Sequence, residues 1–311
     1  MKKLFVIIAA ALLSAGIASA QDKAKASEIY NGAIEQLNSG DKITALASFR
    51  EALQMSQAAG AEDLAANCKK AIPGVLLSIA KQYNNEKKFD EAVNYAEEAA
   101  KLAEEYEDFE TMGSANELIP RLQSQAAWSK AESLFKAKDY AAAIESYNAI
   151  LEADPKNGNA ALRIVQANIE SGNLDAAKEA LAKAQEAGKG KEASSLIGKT
   201  YLKKAQTALK GKDYSKALSL AESAGEFLKS PNVNLIAGQA AQNIAGKENT
   251  AIQNFEQYLA ASPNAKNAGA IACTVGGLYQ KQNNKEKALE YFQKAQGLGF
   301  PQAEQYIKAL K

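Results

Sequence analysis

Few residues in this chain are equipped for chemistry. There is no histidine among its 311 residues. That removes an imidazole general base, every Ser-His-Asp or Cys-His pair, and His-liganded zinc or haem. The two cysteines, Cys68 and Cys273, each stand without a second thiol nearby. Cys68 shares a helical face with Leu64, Ala65 and Ile72, and Cys273 lies beside Ile271 and Val275. Both read as small buried apolar residues rather than nucleophiles or metal ligands. Carboxylates are plentiful but fall in mixed runs such as Glu97-Glu98 and Glu104-Glu105-Tyr106-Glu107-Asp108. Hydrolysis by paired acids needs two carboxyl groups set apart from their neighbours, whereas runs of this kind on helices are solvated faces. Gly188-Lys189-Gly190-Lys191 lacks both phosphate-loop spacing and a preceding strand, and reads as a linker. The sequence therefore predicts no catalytic residue, no cofactor and no metal.

Composition points the same way. Lys+Arg number 37 against 36 Asp+Glu, a formal charge of +1, so the basic face of a nucleic-acid binder is not expected. At 47% hydrophobic and 23% charged, the chain is ordinary for a globular protein. With no histidine, partner binding should depend little on pH between 5 and 8.

The first residues read as an export address. Met1-Lys2-Lys3 is basic, and Leu4 to Leu13 is an apolar run shorter than the ~20 residues that span a bilayer. Ala18-Ser19-Ala20 gives a small-x-small site, so residues 1-20 are expected to be a signal peptide cleaved between Ala20 and Gln21. Cleavage would leave a chain of formal charge about −1 with no transmembrane segment. The expected location is the periplasm or the inner face of an outer membrane.

Beyond residue 20 apolar residues recur at i, i+3, i+4 and i+7, the period of amphipathic helices. The segments also resemble one another. Asp41 to Leu53 lines up with Asp139 to Leu151, with Asp213 to Leu218, and with Thr250 to Phe255. The shared element is a polar turn, then a helix with alanine, then an aromatic or small residue four positions on. The marker alanines are Ala45, Ala92, Ala143, Ala177, Ala217, Ala251 and Ala288, twice spaced by 34 residues. This pattern resembles the tetratricopeptide repeat family, a 34-residue helix-turn-helix with small residues where its helices cross. Twelve residues before each marker, where that family has Gly or Ala, stand Ala33, Ala80, Ala131, Val165, Ala205, Gln239 (Gly238 is one residue off) and Gly276. Pro155 and Pro263 match the proline that closes its second helix.

The resemblance implies an all-α chain, a right-handed α-solenoid of about seven repeats. They are expected at 24-58, 62-106, 111-155, 158-188, 194-229, 231-263 and 265-299, with a capping helix at 302-311. The two intervals from Ala45 to Ala143 exceed the family period by 13 and 17 residues. Each contains an acidic pair followed by Ile-Pro (Ile72-Pro73, Ile119-Pro120), which predicts lengthened helices with a kink or restart at proline. Repeats stack about 8–10 Å apart, so Cys68 and Cys273 should lie beyond the ~7 Å a disulfide allows.

In such arrays the first helix of each repeat, helix A, lines a concave groove that holds protein or peptide partners. Carried onto this sequence, the groove positions are Tyr30, Ile34, Leu37 and Asn38, then Lys81, Asn84 and Asn85. Trp128, Glu132, Phe135 and Lys136 follow, then Gln166 and Glu170. Lys199, Gln206 and Lys210, then Gln280 and Lys281, complete the set. Trp128 and Phe135 could clamp an extended peptide or pack between repeats. Asn84 and Asn85 could bond a peptide backbone or end their helix. The expected function is a non-enzymatic exported scaffold holding a protein or peptide. The alternatives are a self-assembling structural protein and a glycan-binding accessory module, the latter resting on Tyr30, Trp128 and Phe135.

Overall fold

The computed structural model describes residues 2–310, with side chains described from residue 20 onward. Most of the expected signal peptide, residues 1–19, therefore lies outside the described side chains. The chain is all α. Among the described residues there are fifteen helices and no strand. They are α1 (Lys2–Asn38), α2 (Lys42–Ala58), α3 (Glu62–Asn85), α4 (Phe89–Glu105), α5 (Phe109–Lys136), α6 (Tyr140–Ala153), α7 (Gly158–Glu170) and α8 (Leu174–Glu186). These are followed by α9 (Gly190–Lys210), α10 (Tyr214–Phe227), α11 (Pro231–Ala241), α12 (Glu248–Ala261), α13 (Ala268–Lys281), α14 (Lys285–Gly297) and α15 (Ala303–Leu310). The helices divide into two compact units, 1–133 and 134–311, with the boundary inside α5.

Each helix forms for local reasons that the turns make visible. Asp41, Asp108, Asp139, Asn157, Asn173, Asp213 and Asn284 each accept a hydrogen bond at 3.1–3.2 Å from the backbone N–H three residues on. Each satisfies an N–H that the first helical turn cannot pair. The residue before the helix-starting position in the turn between paired helices is left-handed: Gly40, Lys87, Lys138, Gly172, Lys212, Gly246 and Asn283. Gly211, the residue that caps the C-terminal end of α9, has a φ of −77°, and Lys212 takes the left-handed place at +60°.

The two Ile-Pro sites lengthen helices without restarting them. Pro73 lies inside the 24-residue α3, and Pro120 inside the 28-residue α5. Each forfeits one backbone donor. Around Pro73, packing of Ile72, Val75, Leu76 and Ile79 into the core holds α3 continuous. The acidic pairs mark helix starts: Glu62 and Asp63 lie in the first turn of α3, where the helix dipole favours them. Glu107 is the left-handed turn residue and Asp108 the cap of α5.

Packing in both units centres on the small residues. All seven marker alanines are fully buried, as are Ala33, Ala80, Ala131, Val165 and Ala205 twelve positions earlier. In the sixth repeat the position is filled by Gly238 rather than by the half-buried Gln239. The turn there, 242–247, is longer than the three-residue turn of 86–88, and the register shifts by one. A methyl group on Gly238 would stand 2.7 Å from the Phe255 ring, and one on Gly276 2.7 Å from the Phe292 ring. Those rings are buried, so the glycines are the sites where an aromatic side chain of the partner helix rests on bare backbone.

In the first unit α1 packs on α2, α2 on α3 and α3 on α4, over a core that includes Phe49, Ile72, Leu76, Ile79 and Leu122. In the second unit each helix from α6 to α15 packs on the next, and α7–α9 and α9–α11 touch as well. Glu256 of α12 is shared between two tyrosines, accepting from Tyr279 at 2.9 Å and from Tyr291 at 2.8 Å. Burial, aided by that hydrogen bond and charge, pushes the Tyr279 hydroxyl up to about 12 and raises Tyr291 as well. Both stay protonated, and both remain donors, far above neutrality. α15 covers α14 through Ile307 and a stacked Phe292–Tyr306 pair with ring centroids 5.1 Å apart.

Two glycine substitutions should separate packing from helix propensity. Alanine at an open helical position gains about 1 kcal/mol over glycine, and nothing lies within 4 Å of a methyl group on Gly113. Gly113→Ala should therefore raise the denaturation midpoint. Gly238→Ala should lower stability by about 1–2 kcal/mol, because overpacking costs roughly 1–3 kcal/mol and outweighs the propensity gain. Urea unfolding of each variant followed by circular dichroism measures both.

Candidate functional site

Several residues assigned to the groove pack against neighbouring helices. The Tyr30 ring meets Phe49 edge to face at 5.4 Å, and Tyr30 and Leu37 both pack on the core of the first unit. Phe135 is engaged on two sides: the Tyr140 ring lies edge to face at 5.5 Å, and the Arg163 guanidinium sits over it at 5.1 Å. Arg163 also donates to Gln166 at 2.8 Å. Trp128 and Glu132 are half-buried on α5 and have interaction partners of their own. Ile34, Asn38, Lys81, Asn85, Lys136, Lys199, Gln206, Lys210, Gln280 and Lys281 are solvent-exposed and stand apart from any enclosed site. Ala20 and Gln21 are exposed on α1, which continues through them.

Asn84 differs from Asn85. It lies in the last turn of α3, half-buried, and its side-chain oxygen is fully enclosed without a hydrogen-bond donor. Gln125 of α5 carries a second enclosed oxygen in the same state. An unpaired enclosed acceptor costs about 1–3 kcal/mol.

The best-defined concavity lies in the second unit, at the turn edge of two consecutive repeats. It has a volume of about 710 Å³. Ile169 and Glu170 close α7, Leu174 opens α8, Thr200 to Ala208 come from α9, and Lys216 and Leu220 come from α10. The half-buried Ile169, Leu174 and Leu220 give it an apolar wall, while Lys203, Lys204 and Lys216 are exposed around it with no carboxylate within 4 Å. Of its two acids, Asp213 accepts from the Lys216 backbone N–H at 3.2 Å as the α10 cap. Glu170, the other, is exposed to solvent, as Asp213 is.

Among the sequence candidates only Glu170 lines this cavity. Lys203-Lys204 flanked by Thr200 and Thr207 was a legible polar stripe. Its significance needed Ile169 and Leu220, which come from two other helices, to be beside it. The two units also differ in charge. Residues 1–133 hold 14 Lys+Arg against 19 Asp+Glu, and residues 134–311 hold 23 against 17. The near-neutral total conceals an acidic unit and a basic one.

Neither thiol is poised for reaction. Burial pushes Cys68 up to about 11 and raises Cys273, and both are free. Cys68 is fully enclosed; Cys273 is only half-buried, against Ala288 and Phe292. Among the described residues no group of three or more His, Cys, Asp or Glu is arranged to hold a metal ion.

Residues 134–200 and 271–298 each match the sequence profile described as Tetratricopeptide repeat. These two segments carry the tetratricopeptide repeat pattern. Both matched segments lie in the second unit, and the first takes in α6, α7, α8 and half of α9. Among curated proteins no match is found. Solved structures with similar folds include MamA, at 19% identity over 56% of this chain and 96% of that one with a TM-score of 0.30. A second MamA structure, from AMB-1, has 25% identity over 55% and 96%, with a TM-score of 0.28. YrrB, described as a TPR protein with an unusual peptide-binding site, has 21% identity over 54% and 82%, with a TM-score of 0.29. Superpositions this loose say nothing of what this chain binds.

The enclosed oxygen of Asn84 leads to a direct test. Asn84→Ala should leave stability unchanged or raise it by up to about 1–3 kcal/mol, since the change removes an unsatisfied acceptor. Thermal unfolding of the purified protein without added ligand checks this. A clear fall in midpoint would show that Asn84 serves the fold instead.

Proposed function

We propose that this chain is a non-enzymatic tetratricopeptide scaffold, exported by the bacterial cell, that holds protein or peptide segments against its helix-A surface. The observation that carries this reading is the cavity between α7 and α10. Its apolar wall and unpaired lysines are features a fold does not need for its own stability. A polypeptide segment offering an apolar side chain and carboxylates would meet both.

Export rests on the basic, apolar and small-residue order of residues 1–20. No helix among the described residues is long and apolar enough to cross a membrane. The glycan reading is weakened, because Tyr30 and Phe135 spend their ring faces on Phe49, Tyr140 and Arg163.

Self-assembly is a second reading with its own support. The acidic first unit and the basic second unit give every copy two faces of opposite sign, and head-to-tail contact would pair them.

A photoreactive residue placed at Thr207 in the full-length chain should capture a protein in cells, and the same residue at the exposed Glu222 should not. Mass spectrometry of the product names the partner and shows whether the mature chain begins at Gln21. Equal capture at both positions, or none at Thr207, would overturn the groove reading. A chain retaining residues 1–20 would overturn export.

A further inference from the structure

The most exposed large apolar side chain among the described residues is Phe109, with 68% of its surface in solvent. It is the first residue of α5, within the run Glu104-Glu105-Tyr106-Glu107-Asp108-Phe109-Glu110. Glu104, Glu105, Glu107 and Glu110 are also exposed. The segment is held firmly. Tyr106, Glu107 and Asp108 donate their backbone N–H groups to Leu102, Glu104 and Ala103 at 2.8–3.2 Å. Asp108 caps α5 through the Thr111 N–H, and the Lys69 ammonium lies 5.4 Å from the centre of the Tyr106 ring. The result is a preformed knob: one exposed aromatic ring within a run of exposed carboxylates.

The cavity on the second unit has the complementary chemistry. Its wall of Ile169, Leu174 and Leu220 suits an aromatic ring, and its volume of about 710 Å³ is ample for one. Lys203, Lys204 and Lys216 stand around it without ion-pair partners. Glu170 and the α10 cap Asp213 are both exposed on that rim and would repel the knob locally; the three unpaired ammonium groups outnumber them.

We propose that Phe109 and its flanking glutamates on one copy of this chain dock into the cavity between α7 and α10 of a second copy. The inference rests on the self-assembly reading and names its contact. The two surfaces are different patches, so the interface is heterologous. Each copy keeps a free knob and a free cavity after pairing, and assembly continues head to tail into a ring or filament. Neither patch is part of the core, so both can be altered in the folded protein. The preformed turn spares the ordering cost that a disordered segment would meet on binding. Because charges are paired at a partly exposed rim, assembly weakens as salt rises.

The test is sedimentation velocity of the full-length chain at rising concentration, with two variants and their mixture. Wild type should form concentration-dependent oligomers that dissociate at least several-fold more readily in 500 mM than in 50 mM NaCl. Phe109→Ala should weaken association at least ten-fold, as should Lys203→Glu/Lys204→Glu, with circular dichroism unchanged for both. Mixed together, the first variant still offers a cavity and the second still offers a knob. The mixture should therefore form a 1:1 dimer that grows no further. Oligomers that persist in both variants would leave self-assembly standing and overturn this contact. Variants that are monomeric both alone and mixed would overturn it too. A wild type that stays monomeric at several hundred micromolar would overturn self-assembly and the contact together. If that monomer still bound a synthetic peptide of residues 102–113, the occupant would be another protein and not a second copy.

Discussion

Everything else in this chain depends on how closely two helices can approach. Fully buried alanines at seven marker positions, with Ala, Val or Gly facing them, leave no side chain thick enough to hold the backbones apart. Where the pair is tightest, at Gly238 and Gly276, an aromatic ring lies directly on backbone. The close approach is expensive in buried area per residue, since alanine hides little apolar surface. The chain compensates with large rings and branched residues from neighbouring helices: Tyr147, Phe49, Phe255, Phe292 and Ile72 are fully enclosed. A helix pair alone would leave these exposed, so the pairs must stack.

That constraint also assigns the surface. Once crossings and buried rings are settled, what is left of the helices faces solvent with polar side chains. Lys203, Lys204 and Lys216 on one unit and the carboxylates around Phe109 on the other are such leftovers. Neither set stabilises the fold. They are of opposite sign on the two units, a difference hidden in a formal charge of +1.

Much of this was legible before any coordinates. Marker alanines at a family spacing, prolines after the second helix and Asp or Asn before each helix all carry local physics that the sequence states outright. Three features were not. Left-handed Lys87, Lys138 and Lys212 cannot be read from residue type, because lysine has no preference for that conformation. The turn imposes it, at a cost of about 1–2 kcal/mol each, which the neighbouring helices repay. Gln239 looked like the crossing residue only because spacing was counted from Ala251; a longer turn had shifted the register to Gly238. The cavity escaped because its wall and its rim come from four helices in two repeats. Tyr30 and Phe135 lie on helix A, and their rings are engaged by Phe49, Tyr140 and Arg163.

The central claim is that stability here is local, with each crossing supporting only its own and adjacent helices. Hydrogen–deuterium exchange of Gly276→Leu, resolved by peptide mass spectrometry, tests it most directly, because a larger side chain there must displace the buried Phe292 ring. Exchange should rise across α13, α14 and α15 and in the neighbouring α12, while α1 to α4 remain as protected as in the wild type. A uniform loss of protection through both units would contradict the account.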